Sequence, residues 1–367
     1  MYEKLNGEKK LVFIAKDIPA VGYKVYYKAP AEKAHRYDES NGKKIENDRF
    51  KLVLDDNATL VSIYDKANGR EVLSQGGKGN DFRLFEDMPG GYDAWDIVAT
   101  YVDREYELKD GVVKDIVSGD VYTMISIEKE VLKSVIHQNI LIYNDLDRID
   151  FDTNVSWHED QKLLKVFFDV DLQTKTYTRD IAYATMECCS YRYNPYDKAK
   201  FEVNAHNWID MSDEDYGVSL LNDCKYGHEV NEHKMILTLL KAPIKPDPTS
   251  DRGEHYFTYS LYPHAGTWKK ADTLTRGLEI NNPVVPVAVE SGAAGEKTGS
   301  FITLDCDNIT LEAVKKCEEE DAYIIRMVEK TGRTTKATVT LFSDITYAAE
   351  CDLIERNDEP IDLSLIH

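Results

Sequence analysis

The stretch that decides the fold is Arg148–Leu172, RIDFDTNVSWHEDQKLLKVFFDVDL. Ile149, Phe151, Thr153, Val155 and Trp157 fall on one face at a spacing of two, opposite Arg148, Asp150, Asp152, Asn154 and Ser156. Leu164, Val166, Phe168, Val170 and Leu172 repeat the pattern at once, opposite Lys165, Asp169 and Asp171. Side chains alternate between the two faces of a strand, so each run reads as a strand with one apolar and one polar face. The short polar link His158–Lys162 reads as a hairpin loop, which makes the pair an antiparallel ribbon with one buried and one wet side.

The same period runs outward from this pair. Ile136, Gln138, Ile140 and Ile142 alternate, as do Ala337, Val339 and Leu341. Leu52–Asp55, Leu60–Tyr64 and Glu71–Leu73 form a meander, with Asp56-Asn57 and Asn68-Gly69 supplying turn chemistry. Amphipathic helices are nearly absent. The best candidate, Leu311–Cys317, also alternates through Ile309, Leu311 and Ala313 and reads as a strand. The 23 tyrosines agree with a strand-rich chain, since aromatic residues favour pleated surfaces. The expected class is all-β, with too many strands for one simple sandwich.

Composition excludes several functions. With 367 residues the chain is long enough for two or three domains. Its formal net charge of −21 would repel a phosphate backbone, which argues against nucleic acid as a partner. No run of 18 apolar residues occurs and the N-terminus MYEKLNGEKK has no apolar signal core, so no membrane partner is expected and the location reads as cytoplasmic. The six cysteines, among them adjacent Cys188 and Cys189, show no C-x-x-C spacing and read as free thiols.

Residues 29–48 carry no apolar face and read as a linker or long loop; residues 281–299 are Pro-, Gly- and Ala-rich and read as a domain crossover. The expected division is therefore 1–28, the end of a preceding small β-domain; 29–48, linker; 49–280, one large β-domain; and 281–367, a second β-domain whose end is cut. Leu11–Tyr27 is too short to bury a core alone, so something must cover it.

No catalytic set emerges from the residues themselves. His228 and His233 are five apart, which on a helix turns them about 140° from one another, so they read as solvated loop residues and not as a zinc clamp. His206 and Trp208 read as sharing a strand face. There is no G-x-S-x-G, and Gly76–Asn80 is glycine-rich but no helical pattern follows it. Three segments combine aromatics, glycine and carboxylates: Phe85–Asp96, Leu221–Gly227 and Asp251–His255. Aromatic faces stack on the C–H faces of pyranose rings, and carboxylates or amides hold hydroxyls. The same composition also suits inter-domain packing.

At these segments a resemblance appears. LFEDMPGGYDAWDI (84–97), VSWHEDQKLLKVFFDVDL (155–172), AKFEVNAHNWIDMSDEDYGVSLLNDCKYG (199–227) and DRGEHYFTYSLYPH (251–264) resemble, in order, the C-terminal β region of glycoside hydrolase family 38, the α-mannosidases. The resemblance implies a large antiparallel supersandwich of the galactose mutarotase type over 49–280, followed by a C-terminal β-sandwich. It implies a retaining α-mannosidase in which an Asp nucleophile and an acid–base carboxylate work beside one Zn²⁺, or another divalent metal. The motifs for that machinery, including H-D-x-x-S-G, do not occur here, so no catalytic residue and no metal ligand is carried over, and no cofactor is expected in this chain. Its partners would be an N-terminal catalytic domain of the same polypeptide and a mannoside substrate; a homo-oligomer is compatible.

What carries over is accessory. Asn222, Asp223, Lys225 and Tyr226, with Asp251, Arg252 and His255, are the candidates for the edge of the substrate cleft. Arg252 would reach a sugar hydroxyl or a catalytic carboxylate, or else pair internally with Asp251 or Glu254. Asp93, Trp95, Asp96, His206 and Trp208 are candidate inter-domain contacts. Two other readings stand beside this one: aldose mutarotase or epimerase chemistry, drawing on His158, His206 or His255 with Glu159 or Glu254, and a carbohydrate-binding scaffold without turnover.

Overall fold

The computed structural model describes residues 2–5, 8–27, 42–109, 111–289, 295–356 and 358–361. Contacts between backbone positions divide the chain into two units. One comprises residues 1–13, 32–181 and 186–284; the other comprises 14–31, 182–185 and 285–367.

The first unit is built on antiparallel sheets. Nine strands pair in the order Gly111–Ser118, Tyr122–Val131, Ser134–Tyr143, Ile149–Trp157, Gly253–Ala265, Tyr216–Asn222, Trp208–Ser212, Thr176–Ile181 and Ala184–Cys189. Six pair as Val203–Asn204, Gly227–Asn231, Lys234–Lys241, Lys162–Asp169, Asp81–Glu86 and Glu105–Tyr106. The expected meander is a third sheet of Lys44–Glu46, Phe50–Leu54, Leu60–Asp65 and Arg70–Glu71.

The two runs that decide the class are strands, but they are not a ribbon. Ile149–Trp157 pairs with Ser134–Tyr143 and Gly253–Ala265, whereas Lys162–Asp169 pairs with Lys234–Lys241 and Asp81–Glu86. His158–Gln161 thus carries the chain from one sheet to the other, and the two apolar faces meet across the core. Phe151 stacks on Tyr259 of its own sheet at 5.0 Å and reaches Phe168 of the opposite sheet at 5.5 Å. Facing strands and neighbouring strands have the same period of two, so the alternation could not separate them.

The expected wet face of the second strand is also covered. Leu163, Lys165 and Phe167 are buried, packed with Phe85, Tyr101 and Ile236 beneath Ile97, Val98 and Phe201. Lys165 donates to Glu202 (2.6 Å) and Glu229 (3.1 Å), and Tyr101 donates to Glu229 at 2.7 Å. Arg192 completes a cluster of two cations and two carboxylates. The main core keeps one polar ring: Gln138 donates to Tyr259 (2.8 Å) and Thr153 (3.0 Å), and Asn80 donates to Gln138 at 2.7 Å.

One helix of nine residues, Thr273–Asn281, was not expected. It packs Leu274 and Ile280 on Trp208, Leu221 and Trp268. Gly277 permits the close approach, since a Cβ there would stand 2.8 Å from the Trp208 ring.

Gly22–Lys24 pairs with Thr298–Ser300 in the second unit, which is how that short N-terminal segment is covered. Tyr2–Leu5 pairs with Glu8–Leu11. The stretch read as 1–28 is therefore divided between the units. Most of the linker read over 29–48 lies outside the described residues, but Lys44–Glu46 is a strand with Ile45 in the core. Residues 283–289 have no regular structure. The second unit holds further strand pairs, among them Ile309–Lys316 with Tyr323–Glu329, as the alternation there predicts, and Ile302–Leu304 with Val339–Leu341.

Candidate functional site

The three aromatic and acidic segments meet at one end of the large unit, around the loop that links its sheets. Asp251 is left-handed (φ 59°) and Gly253 has φ 128°, a value that suits glycine, so the chain turns sharply into its longest strand. This turn aims Arg252 at Asp160: Nε donates to Oδ1 at 2.9 Å and Nη2 to the same oxygen at 2.5 Å. The partner is neither Asp251 nor Glu254, the two read from the sequence. His255 Nε2 donates to the Asp251 carbonyl at 2.7 Å.

The next residue of the same loop, Gln161, donates to Asp93 at 3.1 Å. Asp93 is buried and also accepts the N–H groups of Ile244 (3.1 Å) and Lys245 (2.8 Å). Burial alone would raise its carboxyl, but these donors outweigh it and hold the group below the usual range. Lys241 pairs with buried Asp87, so Phe85–Asp96 is fastened at both ends.

In the third segment, Asn222 is fully buried: Oδ1 accepts the Lys225 N–H (2.7 Å) and Nδ2 donates to the His206 carbonyl (2.9 Å). Asp223 Oδ2 accepts the Thr258 N–H at 2.9 Å. Both residues therefore shape the turn. Lys225 lies over the Phe257 ring at 4.4 Å; burial lowers its ammonium, while Cys224, Asp251 and Asp223 act the other way. Asp251 is raised, chiefly by burial and against the pull of His255, Lys225 and Lys241. Cys224 is pushed up to about 11 by burial and by Asp223. Tyr226 is half exposed, beside His206 at 5.6 Å.

Four sequence readings need correction. Trp208 is not an inter-domain contact: it is fully buried within its own unit, 5.1 Å from Trp268. Asp93 likewise spends its carboxylate inside its unit. His206 lies in a bend before the Trp208–Ser212 strand and does not share its face. His228 is not a solvated loop residue but sits in the Gly227–Asn231 strand, fully buried, and burial lowers its imidazole to about 4. Trp95 and Asp96 are the candidate contacts that are exposed, and Trp95, 76% exposed, stacks on Tyr92 at 5.0 Å. Asp96 accepts the Ile97 N–H.

Of the His and Glu residues considered for mutarotase chemistry, His158 shares Ser156 with Glu254 and, through its N–H, Ser134 with Glu159. Glu159 accepts from Ser134 and the Lys133 N–H, His158 meets Ser156, and Glu254 accepts from Asn154. Sequence reading missed Asp160, Gln161, Asp87 and Lys241. Their only signal was a polar loop and a strand end, and their roles follow from partners up to 154 positions away.

Among the described residues no group of three or more His, Cys, Asp or Glu could hold a metal ion, so these side chains do not fit the zinc that the family resemblance implies. All six cysteines are free thiols. No helix among the described residues is long and apolar enough to cross a membrane.

Comparison with known proteins agrees with this architecture. Residues 45–249 match the glycosyl hydrolases family 38 C-terminal domain, and residues 308–365 match the family's C-terminal beta sandwich domain. Alpha-mannosidase G of Dictyostelium discoideum is 32% identical over 321 residues, 85% of this chain and 29% of that protein. Alpha-mannosidase 2C1 of Mus musculus is 31% identical over 330 residues, 88% of this chain and 31% of that protein. The chain thus spans less than a third of the length of these relatives. An alpha-mannosidase from Enterococcus faecalis V583 shares the fold, with a TM-score of 0.69 at 14% identity, over 85% of this chain and 39% of that one. The family matches, the sheets and the order of the motifs agree, and the chain belongs to glycosyl hydrolase family 38, of which it carries the C-terminal β region.

Proposed function

We propose that this chain supports and walls the active site of an α-mannosidase whose catalytic region lies N-terminal to it in the same polypeptide. That region would supply the nucleophile, the acid–base carboxylate and the divalent metal of a retaining, metal-dependent hydrolysis of α-mannosides; this chain would be inactive alone. The relatives named as α-mannosidases, each more than three times as long as the matched part, support this reading. A cytoplasmic location, resting on the free thiols, belongs to the same proposal.

The observation that carries the proposal is the fastened edge. Arg252 is held in a fork by Asp160, and Asp93 pins the loop that presents Tyr92 and Trp95. Such pre-ordering costs nothing at the moment a partner surface or substrate arrives. Arg252, Asp251, His255, Lys225 and Tyr226 are the side chains proposed to face the cleft. Asn222 and Asp223 position them, and Trp95 with Asp96 would meet the catalytic region.

The test is an assay of the isolated chain with an aryl α-mannoside plus Zn²⁺, Co²⁺ or Mn²⁺, beside the same chain joined to its N-terminal region. Activity is expected only in the second. Metal-stimulated turnover by the isolated chain would refute the division of labour.

A further inference from the structure

His228 stands where an apolar side chain would fit. Its strand, Gly227–Asn231, sets it opposite Leu237 on one side and Val203 on the other. Residues directly opposite across a pair share a face, and this face is the core: Val230, Met235, Leu237 and Leu239 belong to it and Val203 packs against it. The imidazole is fully buried there, and neither ring nitrogen has a hydrogen-bond partner among the described residues. Buried polar atoms left so are a standing cost that a leucine or phenylalanine would not carry.

A proton on this ring would be poorly received. Two cations act on it: Arg179, from the Thr176–Ile181 strand of the opposite sheet, and Lys165, from Lys162–Asp169. Arg179 shares a face with buried Tyr177, which engages Cys188, and it donates to Asn204 Oδ1 at 2.8 Å, one residue from Val203. The nearby carboxylates lie on the far face of the sheet. There Glu229 accepts from Lys165, Arg192 and Tyr101, and Glu202 accepts from Lys165 and Thr238. The backbone of Tyr226 favours the charged ring, but burial and the two cations outweigh it and hold the imidazole at about 4, against an ordinary 6.5. The strand is also weakly retained on its outer side, where its neighbour Val203–Asn204 is two residues long and ends the sheet. The loop Asn222–Tyr226 runs directly into it, and the Tyr226 carbonyl accepts the Ala205 N–H at 3.0 Å.

We propose that His228 is an acid-sensitive latch: while neutral it lets Gly227–Asn231 pack in the sheet, and on taking up a proton it releases this strand, with Val203–Asn204, from the core. Histidine is the side chain whose ordinary titration lies between neutral and mildly acid pH. A ring that gains its proton more easily when released favours the released strand as pH falls through about 6.5. That bias grows until about pH 4, where the packed ring is protonated as well. Release would also free Lys225 and Tyr226 from the turn that presents them. This last consequence rests on the cleft proposed above; the latch itself does not.

The experiment is amide hydrogen exchange of the chain at pH 7 and pH 5, corrected for the intrinsic effect of pH on exchange. Gly227–Asn231 should lose protection about twentyfold between the two, as linkage requires of one ring with these two values. Ser134–Tyr143, in the other sheet, should keep its protection. His228→Leu fills the site without a titrating group and should abolish the loss, with His228→Phe as a second replacement. Equal protection of Gly227–Asn231 at the two pH values, a loss shared equally by Ser134–Tyr143, or a loss that persists in a folded replacement would overturn the proposal. If thermal melts show that neither replacement folds, the comparison of the two strands in the parent chain decides. The readout uses no mannoside, so failure here leaves the proposed function standing.

Discussion

At the scale of single residues, burial separates side chains of one type into different roles. Trp208 and Trp95 are both indoles near acidic loops, yet one lies beneath a helix and the other in the open. Trp208→Ala should cost about 3–5 kcal/mol in urea unfolding, the range for emptying a buried aromatic site. Trp95→Ala should stay within about 0.5 kcal/mol of the parent in the isolated chain, while lowering activity once the catalytic region is attached. Lys165 is a sharper case. Its alternation puts it on a polar face, but its side chain is fully buried between Glu202 and Glu229. Burial opposes its charge, and the two carboxylates outweigh burial and raise its pKa. Lys165→Met would leave Glu202 without its cation and Glu229 with Arg192 alone, so a loss of about 3–5 kcal/mol is expected.

At the scale of elements, close approaches and turn donors decide. The Tyr216–Asn222 strand can lie against His264 only because residue 217 has no side chain. Gly217→Ala would set a Cβ 2.3 Å from His264 and 2.6 Å from Ser212, costing about 1–3 kcal/mol of overpacking, again read by urea unfolding. In the second unit, the turn after Tyr323–Glu329 is gathered by one carboxylate. Burial would raise Glu329, but donors from Thr331, Asn308 and Arg333 hold it at about 2, against an ordinary 4.5. A depressed carboxyl contributes stability that is complete above its unfolded value and lost as pH falls through the folded one. The second unit should therefore weaken between about pH 4.5 and 2, and Glu329→Gln should flatten that dependence in denaturant titrations run across the window. An unchanged slope would remove Glu329 as the cause.

At the scale of the whole molecule, the division of the chain matters more than any one strand. The first unit spends nearly all its apolar faces on itself, sheet against sheet, with Phe151, Phe168 and Tyr259 at the meeting point. What it leaves open includes an edge of ordered loops and two stacked aromatic pairs, Tyr92 with Trp95 and Tyr191 with Tyr193. Joining the N-terminal region should protect Trp95 from acrylamide, while Trp157, Trp208 and Trp268, all buried already, change little. Unaltered quenching on joining would count against Trp95 as the contact.

Much of this was legible in the residues alone. Alternation at Ile149–Trp157 and at Leu164–Leu172 is enough to require strands, because a pleated backbone sends neighbours to opposite faces whatever they pair with. The net charge and the order of four long motifs were equally plain, and the motifs already pointed to the family. The pairing was not legible. A period of two is the same for strands side by side and strands face to face, so the hairpin around His158–Gln161 and the wet face of Lys162–Asp169 were both misread. Nor could the sequence name Asp160 as the partner of Arg252, or bury His228 and Lys165. Those depend on groups far apart along the chain being brought within hydrogen-bond reach, and only the packing of one sheet on another does that.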